Sequence, residues 1–251
     1  MNLVEIDESH SFSWRLTSWD EAVFEKKTAE LMNFKFKDFE GLRGLFGRIN
    51  QIVDREKLQL VCLRYNSRDQ IFKKLALEHG FNIVEQSYYV THNKINKIPI
   101  VKKNLTFRRP GLKDIPKIQR IAKESFEFGR FHEDPFVDIE LAKKRYENWI
   151  LNLIEETQFY VLDVKGEVAG FFNYVIKENY IDLPLSGIDK QFSGIGSFMW
   201  HKMFNFINEV EDVRKAKILI SSSNLDVLNL YMIMGFKVKE SMFGYHKHIK
   251  R

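Results

Sequence analysis

The sequence predicts an α/β protein built on a mixed sheet with helices on both faces. Three observations carry that reading. From about residue 105 onward, strand and helix signals alternate in the order β-α-α-β-β-β-α-β-α-β. A strand–helix–glycine–strand unit is written twice, once in LQLVCLRY to FNIVEQSYYV and again in AKILISSS to FKVKESMFGYHKH. The stretch Gln191-Phe192-Ser193-Gly194-Ile195-Gly196 falls between a strand and a helix.

In chain order, the opening WRLTSWDEAVFEKKTAELMNF gives no clear element, and FEGLRGLFGRINQIVDRE reads as a helix despite its glycines. LQLVCLRY reads as a strand, SRDQIFKKLALEHG as a helix and FNIVEQSYYV as a strand. Residues 92–104 are polar and basic without periodicity, which predicts a linker between an N-terminal domain, 1–91, and a second domain, 105–251. Thr106 to Arg109 starts the second domain as a strand stopped by Pro110-Gly111. Asp114 is placed to cap a helix with Pro116 in its first turn, and Asp138 to cap a second. QFYVLDV and EVAGFFNYVIK read as strands joined by a Lys165-Gly166 turn, and NYIDLPLSGI as a third strand. In GSFMWHKMFNFINEV, Met199, Met203, Phe206, Ile207 and Val210 share one helical face. LDVLNLYMIM is a helix ended by Gly235.

Setting Gly80-Phe81 on Gly235-Phe236 aligns the two copies of the unit and pairs Ser67 with Ser222, Leu75 with Leu230 and Glu85 with Glu240. Asp69 then stands where the second copy has Asn224, and Ala76 where it has Tyr231. Shared ancestry and chance recurrence of a common α/β unit both remain open at this level.

The 251 residues can bury a substantial core, and 44% hydrophobic with 29% charged residues excludes a disordered chain. No apolar run approaches the ~20 residues of a membrane span, and the N-terminus lacks a signal-peptide pattern, which leads us to expect a cytoplasmic protein. The single cysteine, Cys62, lies in an apolar run and reads as buried. The seven histidines show no metal-ligand spacing with cysteine or with one another, so no metal is expected. A net charge of +5 suits an anionic ligand, and no dense basic block points to nucleic acid.

The 191–196 stretch carries the sharpest chemistry. Two glycines let backbone approach a ligand closely, and the N–H groups at a helix start attract a negative group such as a pyrophosphate. A plain strand-to-helix turn is the alternative. A dinucleotide fold is rejected, because the third glycine is missing and the next strand ends in Ser221-Ser222-Ser223.

The Q-x-x-G-x-G pattern between strand and helix resembles the coenzyme A loop of the GNAT superfamily of N-acetyltransferases. Asn224, Tyr231, Gly235 and Phe236 resemble the same superfamily's later motif. The resemblance covers about 145 residues and implies a GNAT fold, here preceded by a smaller, partial GNAT-like domain. The whole chain also resembles the TDP-fucosamine acetyltransferase group. That likeness rests on Leu16-Thr17-Ser18-Trp19 to Phe24, the run Gly80 to Glu85, Arg130-Phe131 and the Asn224/Tyr231 pair.

The resemblance implies direct acetyl transfer from acetyl-CoA to a small-molecule amine, here a nucleotide-linked amino sugar. The coenzyme would be held by Leu185, Ser186, Gly187, Ile188, Gln191, Ser193, Gly194, Ile195, Gly196 and Asn224. Leu185 and Gly187 are the candidates for polarising the thioester carbonyl. Tyr231 would protonate the leaving thiolate, or else be a core tyrosine. Glu85 would act as base through a water, or be a solvated carboxylate. Arg130, His132 and Asp134, in the loop between the first two helices of the second domain, would contact the acceptor, or be ordinary loop charges. A peptide, a polyamine or a purely CoA-binding role are the alternatives, and a homodimer is left open.

Overall fold

A computed structural model describes residues 1–102 and 105–250. Two residues of the expected linker, Lys103 and Asn104, lie outside the described residues, as does Arg251 at the end of the expected second domain. The chain opens with strands β1 (Asn2–Asp7) and β2 (His10–Leu16), helix α1 (Ser18–Phe24) and strand β3 (Thr28–Lys35). Helix α2 (Phe39–Arg55), strand β4 (Leu60–Asn66), helix α3 (Gln70–Glu78) and strand β5 (Asn82–His92) follow. Then come β6 (Thr106–Arg108), α4 (Ile115–Ser125), α5 (Ile139–Glu156), β7 (Gln158–Val164) and β8 (Glu167–Lys177). The chain continues with β9 (Tyr180–Asp182), β10 (Ser186–Ile188), α6 (Gly196–Val210), β11 (Ala216–Ser221), α7 (Leu225–Ile233) and β12 (Lys237–His248). Short 3-10 turns sit at Ile95–Lys97, Leu112–Asp114 and Lys190–Ile195.

Local chemistry explains most boundaries. The α2 helix survives its glycines because Leu42, Leu45, Phe46, Ile49, Ile52 and Val53 form one buried stripe. Lys165 and Gly166 take φ of 55° and 85°, as a tight hairpin between β7 and β8 requires. Asp138 Oδ1 accepts the Glu140 amide at 2.7 Å ahead of α5. Asp114 does not cap α4 as expected. Its carboxylate turns back to Arg108 and to the Gly111 amide, because an ion pair outcompetes a neutral cap. NYIDLPLSGI is not one strand but two, β9 and β10, since Pro184 has no N–H to continue a ladder. On α6, Met199, Met203 and Ile207 are buried as expected, but Val210 is 48% exposed at the helix end.

The two copies of the repeated unit agree bond for bond. The N-cap oxygen of Asp69 accepts from Phe72 N, and that of Asn224 from Val227 N. Gly80 and Gly235 both take positive φ, which any side chain would resist. Phe81 N donates to Ala76 O, and Phe236 N to Tyr231 O, each at 3.0 Å. Gln86 and Ser241, the same position in the two copies, bond to each other at 3.1 Å.

The chain forms two compact units. The first holds residues 1–87, 130–141 and 241–251; the second holds 88–129 and 142–240. In the first, the strand order is β1-β2-β3-β4-β12-β5, with β12 antiparallel to β4 from Met242↔Asn66 to His248↔Leu60. Its core packs Phe12, Leu31, Phe46, Phe72 and Tyr245. In the second, the order is β5-β11-β9-β8-β7-β6, with β10 on β8. Its cores gather Phe172, Tyr174, Met203, Phe204 and Phe236 on one side and Ile118, Ile150, Phe159 and Phe171 on the other. Residues 241–248 of the second copy's last strand thus belong to the first unit, and residues 88–92 of the first copy's last strand to the second. This partition differs from the 1–91 and 105–251 division of the sequence for two reasons. The 130–141 loop is bonded to strands of the first unit, and β12 completes that unit's sheet. Among the described residues no helix is long and apolar enough to cross a membrane.

Candidate active site

In the second unit, the strand pair around Pro184 opens an unpaired edge. Ile181 and Asp182 of β9 still pair with Ala216 and Lys217 of β11. Past Pro184, β10 pairs with β8 alone. Leu185 O accepts from Asn173 N at 3.2 Å, and Asp189 N donates to Ala169 O at 2.9 Å. Antiparallel alternation therefore turns Leu185, Gly187 and Asp189 toward β8, and it turns the amides of Ser186 and Ile188 the other way. Leu185 and Gly187 are buried, whereas Ser186 and Ile188 are half-exposed. The N–H groups facing away from β8 thus belong to Ser186 and Ile188, not to Leu185 and Gly187, and on that edge the Ile188 carbonyl accepts from Ser125 Oγ at 2.8 Å.

The 191–196 turn begins after Asp189, whose carboxylate accepts the Gln191 amide at 3.0 Å. Lys117 and Arg120, both on α4, bind that same carboxylate. The turn faces solvent at Gln191, Ser193 and Gly194. Gly194 and Gly196 do not need glycine for their dihedrals, since neither has positive φ. What they provide is space: nothing lies within 4 Å of where a Cβ would stand. The bare backbone leads into α6 at Gly196, where the dipole favours an anion.

Tyr231 is 2% exposed in the last turn of α7 and packs edge-on against Phe204 and Phe236. The indole N–H of Trp200 on α6 donates to its hydroxyl at 3.2 Å. Burial raises the phenol's pKa above its ordinary value, against the pull of Trp200, so it stays protonated at neutral pH. An indole can only donate. The phenol therefore receives Trp200 on a lone pair and keeps its own proton to give. Asn224 uses its side-chain oxygen to cap α7, which leaves its NH2 group for other contacts.

The other candidates lie in the first unit, on the sheet face away from the Phe46 and Phe72 core. Glu85 is 4% exposed rather than solvated, and its Oε2 accepts from Arg64 at 2.6 and 3.2 Å. Arg130 is equally no surface clamp. It is 8% exposed and donates to Glu30 at 2.9 Å, while its Nη1 is buried without a partner. Gly244 separates the two groups: a Cβ there would stand 3.2 Å from Glu85 Oε2 and 3.5 Å from Arg130 Cβ. Burial would raise the Glu30 pKa, yet the charge of Arg130 and the hydrogen bond from Arg15 bring it down to about 2.

His132 is half-buried in the same loop. Asp134 is buried and both of its oxygens are engaged. Oδ1 accepts Phe136 N at 2.9 Å, and Oδ2 meets His246 Nδ1 at 2.6 Å and His248 Nε2 at 2.7 Å. Burial alone would raise its pKa, but the two histidine hydrogen bonds hold the carboxyl well below the usual range. Burial pushes His246 down to about 4, against the pull of Asp134.

Sequence reasoning missed Trp200, Lys117, Arg120 and the histidine pair. For the first three no local signal exists, because each acts across a helix packing. For the histidines the signal was present. His246 and His248 are two apart on a strand and so share a face, a spacing that the expectation of no metal passed over.

No protein-family model matches the sequence. Similar solved structures define the class of fold. A GCN5-related N-acetyltransferase from Sphaerobacter thermophilus superposes with a TM-score of 0.66 at 16% identity, covering 97% of this chain and 78% of that one. A tandem GNAT protein from the clavulanic acid biosynthesis pathway gives 0.60 at 11% identity, covering 89% and 76%. The fold is that of the GCN5-related N-acetyltransferases, and the tandem relative matches a GNAT fold preceded by a GNAT-like unit. In sequence, the chain is similar to the spore coat polysaccharide biosynthesis protein SpsD of Bacillus subtilis (strain 168). The two are 21% identical over 239 residues, covering 91% of this chain and 80% of the relative.

Proposed function

We propose that this protein is an acyl-CoA-dependent N-acetyltransferase whose acceptor is the amine of a nucleotide-linked (TDP) amino sugar. The observation that carries the reading is the unpaired edge of β10, with the Ser186 and Ile188 amides on its open side. Such an edge can extend its hydrogen bonds to the amide-bearing arm of coenzyme A, as a further strand would. The diphosphate end fits the exposed turn at Gln191, Ser193, Gly194, Ile195 and Gly196, with Arg120 and Lys117 nearby as cations. The NH2 group of Asn224 is available to the same arm.

In the reaction, the acceptor nitrogen bonds to the thioester carbon, and one of the two amides stabilises the developing oxyanion. The carbon–sulfur bond then breaks, and the thiolate takes the proton of Tyr231. The acceptor's own proton goes to a base. The polysaccharide role in the name of the B. subtilis relative supports a sugar acceptor.

The test is thiol release from acetyl-CoA against TDP- and UDP-amino sugars, polyamines and peptides. Release with a TDP-amino sugar is the expected result. Release only with polyamines or peptides moves the acceptor to another class. Coenzyme binding without release to any amine leaves a binding protein, and no binding heat at millimolar coenzyme removes the reading altogether.

A further inference from the structure

We propose that Asp134, His246 and His248 form a binding site for a first-row divalent metal ion, zinc above others. The site lies wholly within the first unit and does not rest on the acetyltransferase reading. One ligand atom from each residue lies within 4.8 Å of those of the other two, and Asp134 Oδ2 meets His246 Nδ1 and His248 Nε2 at 2.6 and 2.7 Å. Two imidazoles with one carboxylate are a donor set suited to zinc or iron(II), rather than to magnesium or calcium, which prefer oxygen alone.

The supports of the set are those of a built site. His246 and His248 sit on one face of β12, which is held over seven residues by β4, so their spacing is fixed by the ladder. The carboxylate plane is set by the Phe136 amide on Oδ1, the kind of outer hydrogen bond that orients metal ligands. Phe131 and Phe136 lie 4.9 and 5.5 Å from the His246 and His248 rings, Phe131 buried and Phe136 exposed. The Asp134 and His246 side chains are fully buried, while that of His248 is 17% exposed. That leaves one open side, through which an ion can enter and on which a fourth ligand can bind.

The ion would replace the two imidazole-to-carboxylate hydrogen bonds. Zinc–ligand bonds of about 2.0–2.2 Å require each N···O separation of 2.6–2.7 Å to widen by less than about 1 Å. Rotation of the exposed His248 ring and a small shift of the 130–136 loop are enough. The bound ion would then fasten that loop to β12.

Calorimetric titration of chelator-stripped, full-length protein with zinc chloride tests the site, alongside His248→Ala, Asp134→Asn and, as a control, His201→Ala on α6. The expected result is one equivalent of zinc for the wild type and for His201→Ala, with affinity weakened at least about tenfold in His248→Ala and Asp134→Asn. Zinc should also raise the melting temperature of the wild type but not of His248→Ala, whose partly exposed position makes it the variant that keeps the fold. The proposal fails if the stripped wild type gives no heat up to millimolar zinc. It fails equally if both His248→Ala and Asp134→Asn, with metal-free melting temperatures near the wild type's, bind zinc as the wild type does.

Discussion

The two copies of the repeated unit share a backbone and differ in what they bury. In the first copy, α3 buries Phe72, Leu75 and Ala76, with Tyr65 stacked on Phe72 at 3.7 Å. In the second copy, α7 buries only Tyr231 and leaves Leu225 and Ile233 61% and 80% exposed. The first copy spends its helix on a closed core, and the neighbouring carboxylates Glu30 and Glu85 are locked to arginines. The second keeps a polar hydroxyl where the first has a methyl. One scaffold thus carries a closed apolar core in one place and a buried hydroxyl in the other.

The contrast can be broken or sharpened by four measurements. Phe72→Ala should lose about 3–5 kcal/mol of unfolding free energy in denaturant, because it opens a cavity in a fully packed core. Ile233→Ala in the second copy should stay within about 0.5 kcal/mol; comparable losses would mean that α7 is packed after all. Glu30→Gln should lose up to about 3 kcal/mol at pH 7. Glu30 is depressed in the folded state, so its stabilisation is present above the unfolded carboxylate pKa, near 4.5, and is lost as pH falls through about 2. The wild-type advantage in chemical denaturation should therefore shrink across pH 4.5 to 2, and a gap constant over that range would show that Glu30 is not held ionised. Tyr231→Phe should slow turnover at least about tenfold with coenzyme affinity kept, the usual scale for a general acid. Equal turnover would return Tyr231 to the same purely structural status as Ala76. Smallest, Asp69→Ala and Asn224→Ala should each lose about 1 kcal/mol as helix caps, and only the second should also weaken coenzyme binding.

Those elements whose cause is local were legible in the sequence. The β7–β8 hairpin, the α2 stripe, the cap at Asp138 and both glycine-ended helices follow from periodicity and turn chemistry within a few residues. The Gly80/Gly235 alignment holds down to individual hydrogen bonds. What escaped has long-range causes. That β12 pairs with β4, or that Glu30 meets Arg130, cannot be read from either segment alone. The burial of Arg130 and Asp134 depends on those pairings, so charges that look solvated in the sequence are partnered in the fold. The break at Pro184 was visible as a missing N–H. Which amides it frees depends on β8, a partner the local pattern does not name.

The exchanged last strands also bear on biosynthesis. While the ribosome is still making the middle of the chain, β4 has no neighbour on its β12 side, because residues 241–248 do not yet exist. An unpaired strand next to a half-built apolar layer invites association with other nascent chains. The first unit must wait, incomplete, for the second to be translated. A chain stopped before residue 241 would therefore leave β4 without its neighbour and the first unit incomplete, although every residue of the second unit would be present.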